Sequence, residues 1–202
     1  MTVATAEETE QAPAISALQT TLHNEVWPKV TEKFGITNPM ALPRLDKIVV
    51  NVGMGDFLEN NKLRPEARDT ILNTLSTITG QQPILIKAKK SVSNFKVREG
   101  ALGSTKVTMR RVRMWSFLER LIHLAIPRVR DFRGLSRTSF DAAGNYSFGF
   151  SEQAVWPEID MGSINISHGM HINLVFRNST PEISRFVLTE LGFPFKREDE
   201  TG

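Results

Sequence analysis

The chain has 202 residues, with 25 Lys plus Arg against 22 Asp plus Glu, and no cysteine. That length suits one sizeable domain with its own core, and the lack of thiols excludes disulfides and thiolate metal sites and fits a reducing compartment. The longest apolar run, Leu121 to Ile126, is interrupted by His123 and far too short to span a bilayer.

The formal net charge of +3 hides a segregation. From Leu85 to Thr138, 14 basic residues face only Glu99, Glu119 and Asp131, net +11, which leaves 11 basic and 19 acidic residues elsewhere, net −8. A cationic region in an otherwise anionic chain points to a polyanionic partner.

Taken in order, the opening MTVATAEETEQAPA carries Glu7, Glu8 and Glu10 where a signal or transit peptide needs basic residues. It reads as a disordered acidic tail over residues 1–13 of a cytoplasmic protein. From Ala14 onward Leu18, Leu22, Val26, Val30 and Phe34 recur every four residues, the stripe of an amphipathic helix that Pro28 should kink and Gly35 should end. LDKIVVNVGMGD then predicts a strand with Ile48, Val50 and Val52 on one face and Lys47, Val49 and Asn51 on the other. Gly53 and Gly55 follow it, but Leu58 stands where a phosphate loop needs its third glycine, so the pair reads as a turn.

Asp56 to Asn61 reads as a polar loop, and Pro65 opens a helix through Ile71, Leu75 and Ile78 to Gly80. Ile84 to Ile86 predicts a buried strand that exits through Lys87, Lys89 and Lys90 into a long, polar, mobile loop. The return strand alternates, with Val107 and Met109 facing one way and Lys106, Thr108 and Arg110 the other. Trp115 to Ile126 is apolar nearly all round and reads as the core helix, ended by Pro127. Arg128, Arg130, Arg133 and Arg137 follow in an irregular segment, residues suited to planar recognition of phosphates.

YSFGF predicts a strand with Tyr146, Phe148 and Phe150 on one face, and Ser151 to Ile159 a short helix broken by Pro157. MHINLVFR sets Met170, Ile172, Leu174 and Phe176 against His171, Asn173 and Arg177. Ser179 and Glu182 predict a capping box around Pro181, opening a last helix that Gly192 stops. The strands alternate one-sidedly among helices, which favours an α+β fold with an antiparallel or mixed sheet and helices mainly on one face. Such a sheet offers amides, hydroxyls and guanidinium groups to a folded RNA, whose wide minor groove displays hydroxyls and base edges.

No catalytic signature accompanies this. His168 and His171 have metal-ligand spacing, but they enter a strand, where alternation sends them to opposite sides. The acidic residues lack the paired spacing of a two-metal nuclease. Taken alone, the basic hairpin would equally serve an RNA scaffold, a free RNA chaperone or the substrate guide of a nucleic-acid enzyme.

The strings PRLDKIVVNVGMGD, ITGQQPILIKAKKSVSNFKVREG, KVTMRRVRMWSFLERLIHLAIPRVRDFRGLS, FDAAGNYSFGFSEQAVWPEID and GFPFKR together resemble the bacterial family of large-subunit ribosomal protein five, over nearly everything from Val26 to Arg197. The resemblance implies an antiparallel five-stranded sheet with helices on one side and a single domain over 14–197, followed by a flexible tail over 198–202. It implies a cytoplasmic, non-enzymatic constituent of the large ribosomal subunit that needs no metal or cofactor.

It further implies binding of 5S ribosomal RNA in the central protuberance through Asn51, Gln81, Thr108 and Arg110, to which the strand faces add Lys47 and Lys106. The loop from Lys89 to Gly103, with Lys89, Lys90, Ser91, Asn94, Lys96 and Arg98, would face peptidyl-site transfer RNA. The region from about Arg133 to Gln153, including Arg137, Asn145 and Tyr146, would bridge to protein thirteen of the small-subunit head, and 23S ribosomal RNA would be a further partner. One departure is RRVRM in place of the commoner RGERM, which sets Arg111 and Val112 where a glycine and an acid are usual.

Overall fold

In the computed structural model the described residues are 16–59, 62–95, 97–160, 162 and 166–196. The expected acidic tail, Lys96 and the last six residues lie outside them.

The first helical stretch follows its apolar stripe: Leu18, Leu22, Val26 and Val30 are buried and Phe34 packs half-buried against the core. It is built as α1 (Ala17–Thr21), a π turn (Leu22–Val26) and α2 (Trp27–Phe34). Proline at position 28 lacks the N–H that would bond the preceding turn. The helix therefore loosens into the π turn ahead of Pro28 and continues beyond it. Gly35 ends it at φ +66, the left-handed conformation that glycine adopts without a Cβ clash.

Strand β1 (Arg44–Gly53) is followed by a 3-10 turn (Gly55–Phe57), in line with the turn reading of the two glycines. The expected polar loop is instead a miniature hairpin of β2 (Leu58–Glu59) and β3 (Lys62–Leu63). Helix α3 (Pro65–Thr79) buries Ile71, Leu75 and Ile78 and stops at Gly80. Then come β4 (Ile84–Lys87), β5 (Leu102–Met109) and α4 (Arg111–Arg120). The last runs on through a second π turn (Leu121–Ala125) and a 3-10 turn (Ile126–Arg128) that includes Pro127, so this proline tightens the helix end rather than halting it before residue 127.

After an irregular segment come β6 (Tyr146–Phe150), a 3-10 turn (Gln153–Val155), β7 (Met170–Arg177) and α5 (Pro181–Glu190). The N-cap of α5 is Thr180, whose hydroxyl accepts from the Ile183 N–H at 3.4 Å. Ser179 bonds Ser184 instead, Oγ to Oγ at 2.7 Å, so the cap lies one residue later than the capping box places it.

The strands form one antiparallel five-stranded sheet in the order β4-β5-β1-β7-β6. Helices pack on one face, α3 against β5 and α4 against β1, while α5 packs on α2. The covered face carries Ile48, Val50, Val52, Val107, Met109, Ile172 and Leu174, each at most 1% exposed. Burying each such side chain contributes roughly 1.5–3 kcal/mol. Phe117 stacks on Trp156 at 5.0 Å between ring centroids, and the Trp156 indole N–H donates to the Met170 sulfur at 3.3 Å. The edge strand β4 corrects one expectation: its apolar run is not buried, and Ile84 is 62% exposed on the uncovered face.

Fully buried Gln153 sets the entry to β7. Its Nε2 donates to the Ile166 carbonyl at 2.7 Å and its Oε1 accepts from the His168 N–H at 2.7 Å. His168 is only 4% exposed, with Nδ1 3.3 Å from the Gly169 carbonyl and Nε2 without a partner among the described residues. Burial holds its pKa below the ordinary value of 6.5, with the Gly169 carbonyl opposing. The neutral ring is thus the folded form, and protonation would bury a charge and an unpaired donor. Stability from this site is fully present above the unfolded pKa near 6.5 and is lost as pH falls through the lower folded value. Replacing His168 with Gln should therefore flatten the fall in melting temperature as pH drops below about 6.5. Thermal melts of both proteins across that window check this, and parallel curves would refute it.

Candidate nucleic-acid interface

The register of the sheet converts separate strand faces into rows across the uncovered side. Asn51 is the Cα partner of Lys106 in β5 and of His171 in β7. Lys106 in turn stands opposite Ile84, and His171 opposite Gly149. One row therefore reads Ile84, Lys106, Asn51, His171, Gly149 across all five strands. At about 4.8 Å between neighbours it spans about 19 Å. The next row reads Thr108, Val49, Asn173, Ser147.

Lys106 and His171 are exposed, and Asn51, Thr108 and Asn173 half-buried. Among the described residues none of these five side chains has a hydrogen-bond or ion-pair partner within the chain, so their donors and acceptors are available to a ligand. Lys47 lies half-buried on the same face opposite Val175, just past a bulge at Asp46. The sequence pattern placed the individual residues on this face. It could not supply the alignment between strands, and it gave no signal for Ser147 or the exposed Ile84.

Gln81 and Arg110 flank these rows. The Thr79 hydroxyl donates to the Leu75 carbonyl at 2.6 Å and accepts from the Gln81 N–H at 3.3 Å, holding the chain between α3 and β4. The Gln81 side chain is left half-exposed. Arg110 is exposed and extended at φ −140, the last residue before α4, where the chain turns from sheet to helix.

The loop between β4 and β5 is more ordered than its composition suggests. Val92 and Val97 exchange backbone hydrogen bonds of 2.9 and 3.2 Å around a 3-10 turn (Ser93–Phe95), and Ala88 bonds Ala101 and Gly100 at 2.8 and 2.9 Å. The Ser91 hydroxyl accepts from the Glu99 N–H at 2.9 Å. Lys89, Lys90, Ser91, Asn94 and Arg98 are exposed on this frame, and no ion pair engages Lys89, Lys90 or Arg98 among the described residues.

The segment after α4 divides differently from its expected role. Arg133 is exposed and Arg137 half-exposed. Asn145 is structural: its amide donates to Asp141 at 2.7 Å and its oxygen accepts from the Phe176 N–H at 2.9 Å. Tyr146 is fully buried among Phe140, Phe193 and Phe195, and its hydroxyl donates to the Ser136 carbonyl at 2.8 Å. Burial pushes its phenol pKa well up. Tyr146 therefore shapes this segment from inside and cannot itself touch a partner.

The site is a helix-backed sheet whose open polar face continues into a basic hairpin, and no helix among the described residues is long and apolar enough to cross a membrane. Comparison with known proteins identifies the family. The ribosomal protein L5 family model matches residues 38–98, and the model of that family's C-terminus matches residues 103–195. The chain is 48% identical to large ribosomal subunit protein uL5 of Carboxydothermus hydrogenoformans, over 86% of this chain and 95% of that protein. It is 46% identical to uL5 of Leuconostoc citreum, over 90% and 99%, and 44% identical to uL5 of Chlorobium phaeovibrioides, over 96% of each. The chain belongs to the ribosomal protein L5 family, and is a structural, non-enzymatic constituent of the large ribosomal subunit.

Proposed function

We propose that the open sheet face binds 5S ribosomal RNA within the large subunit, with Asn51, Thr108, Lys106 and Lys47 on the rows and Gln81 and Arg110 at their margins. The observation that carries this reading is the register that aligns Lys106 with Asn51 and Thr108 with Val49 on the face opposite the described helices. Uncharged amides and hydroxyls there match the sugar hydroxyls and base edges of an RNA minor groove, while the lysines and Arg110 hold phosphates. In the same reading the loop from Lys89 to Gly103 projects its cations toward the transfer RNA in the peptidyl site. Exposed Arg133, with Arg137, faces protein thirteen of the small-subunit head, and the wider basic surface meets 23S ribosomal RNA.

The two sides of β5 provide the test. Thr108→Val removes one hydroxyl from the open face and should weaken 5S RNA binding by about 1 kcal/mol with the fold intact. Met109→Asp, which buries an unpaired charge, should unfold the domain. Gel shifts and circular dichroism on both variants distinguish these outcomes, and two equally folded non-binders would refute the face assignment. If about five phosphates are neutralised, log K should fall against log salt with a slope of roughly −3 to −4.

The loop separates from the sheet in a second measurement. Alanine at Lys89, Lys90, Lys96 and Arg98 leaves every sheet residue untouched. It should preserve 5S RNA occupancy in purified ribosomes while speeding dissociation of peptidyl-site transfer RNA and lowering its salt dependence. Normal transfer RNA retention with depleted 5S RNA would mean that loop and sheet carry the opposite roles.

A further inference from the structure

Arginine gathers at one end of the sheet. The middle of the open face carries Asn51, Thr108, Asn173 and Ser147 together with Lys106 and His171, whereas the end where β1 begins and β5 and β7 finish carries Arg44, Lys47, Arg110, Arg111 and Arg177. Two features of that end are burdens on the free protein. Arg44 and Arg177 are direct Cα partners in the β1–β7 ladder, an opposition of like charges that destabilises a strand pair. Arg111 sits at φ +53, the left-handed region that a residue with a Cβ adopts at a cost. Strain of this kind persists where surrounding structure imposes it and clusters where ligands bind.

The three arginines line one cleft of about 330 Å³, together with Gln19, Asp46 and Trp115. Arg44 is held in place there: its guanidinium donates to the Pro39 carbonyl at 3.3 Å and lies 5.7 Å from the Trp27 ring centroid. Asp46, the bulged residue of β1, is the one acid lining the cleft, and no ion pair joins it to any of the three arginines among the described residues. Three guanidinium groups against one carboxylate leave an uncompensated positive site, built from forks that suit phosphate oxygens two at a time.

We propose that this cleft, formed by Arg44, Arg111 and Arg177, is a phosphate-binding site for the RNA backbone. It is a second anchor at the end of the sheet, contiguous with Lys47 and Arg110, and it rests on the reading of the sheet face as an RNA surface. The anion relieves the opposition of Arg44 and Arg177 and offsets the strain at Arg111.

The test uses the full chain and 5S ribosomal RNA, with affinity measured across a salt series, and with thermal melts of the free protein alongside. Arg177→Gln and Arg111→Gly should each reduce the salt slope by about one and weaken binding about threefold to tenfold at moderate salt. The free proteins should melt at the same or a higher temperature than the parent, because cross-strand repulsion or left-handed strain has been removed. A merely structural role predicts the opposite, a lower melting temperature with an unchanged slope, and that result overturns the proposal. Unchanged slopes in both variants, with Thr108→Val still weakening binding, would remove the cleft and keep the sheet face. If Thr108→Val and Arg110→Gln also bind normally, the sheet-face reading itself falls and the cleft with it.

Discussion

Strand β1 is hydrogen-bonded on both sides, to β5 and to β7, and its Ile48, Val50 and Val52 are fully buried beneath the helices. Because side chains alternate strictly, a slip of one residue against either neighbour would turn those three outward and bury Lys47 and Asn51. The burial of one face thus holds the register, and the register holds the polar rows on the other. The pairing tolerates a single irregularity, the bulge at Asp46, which lies at the end of the strand rather than beneath the core.

The helices are less regular than the sheet, and their irregularities have local causes. One π turn precedes Pro28 and the other precedes Pro127, each loosening the helix where a proline removes an N–H donor. Between them, Arg120 joins layers. Its guanidinium donates to the Ile78 carbonyl at 2.8 Å and pairs with Glu158, so that α4, the end of α3 and the segment before β7 share one half-buried contact. That contact satisfies a helix-terminal carbonyl that has no intrahelical partner.

Between sheet and loop there is a gradient of support. The rows are carried by five bonded strands over a close-packed core, while the tip of the basic hairpin rests on one pair of backbone bonds between Val92 and Val97. Local opening is therefore costly across the sheet and cheap at the tip of the hairpin.

Period-two alternation in three strands was enough, on the sequence alone, to place Lys47, Asn51, Lys106 and Thr108 on one face and Val107, Met109 and Leu174 on the other, because alternation is a property of the extended backbone itself. The same holds for the helix stops at Gly35 and Gly80 and for the charge of the central region. Strand neighbours, however, are chosen by the whole core. That Asn51 lies between Lys106 and His171, that Ile84 is on an edge and therefore exposed, and that Arg44 opposes Arg177 follow from pairing over long stretches of chain, which no local pattern encodes. Tyr146 shows the same limit: its alternation with Phe148 and Phe150 was legible, but Phe140 and the C-terminal Phe193 and Phe195, closing over it, made it a core residue. The cap at Thr180 rather than Ser179 was settled by Ser184, which engages the Ser179 hydroxyl. Local periodicity sets which way a side chain points; what it meets there is decided by the packing of distant segments.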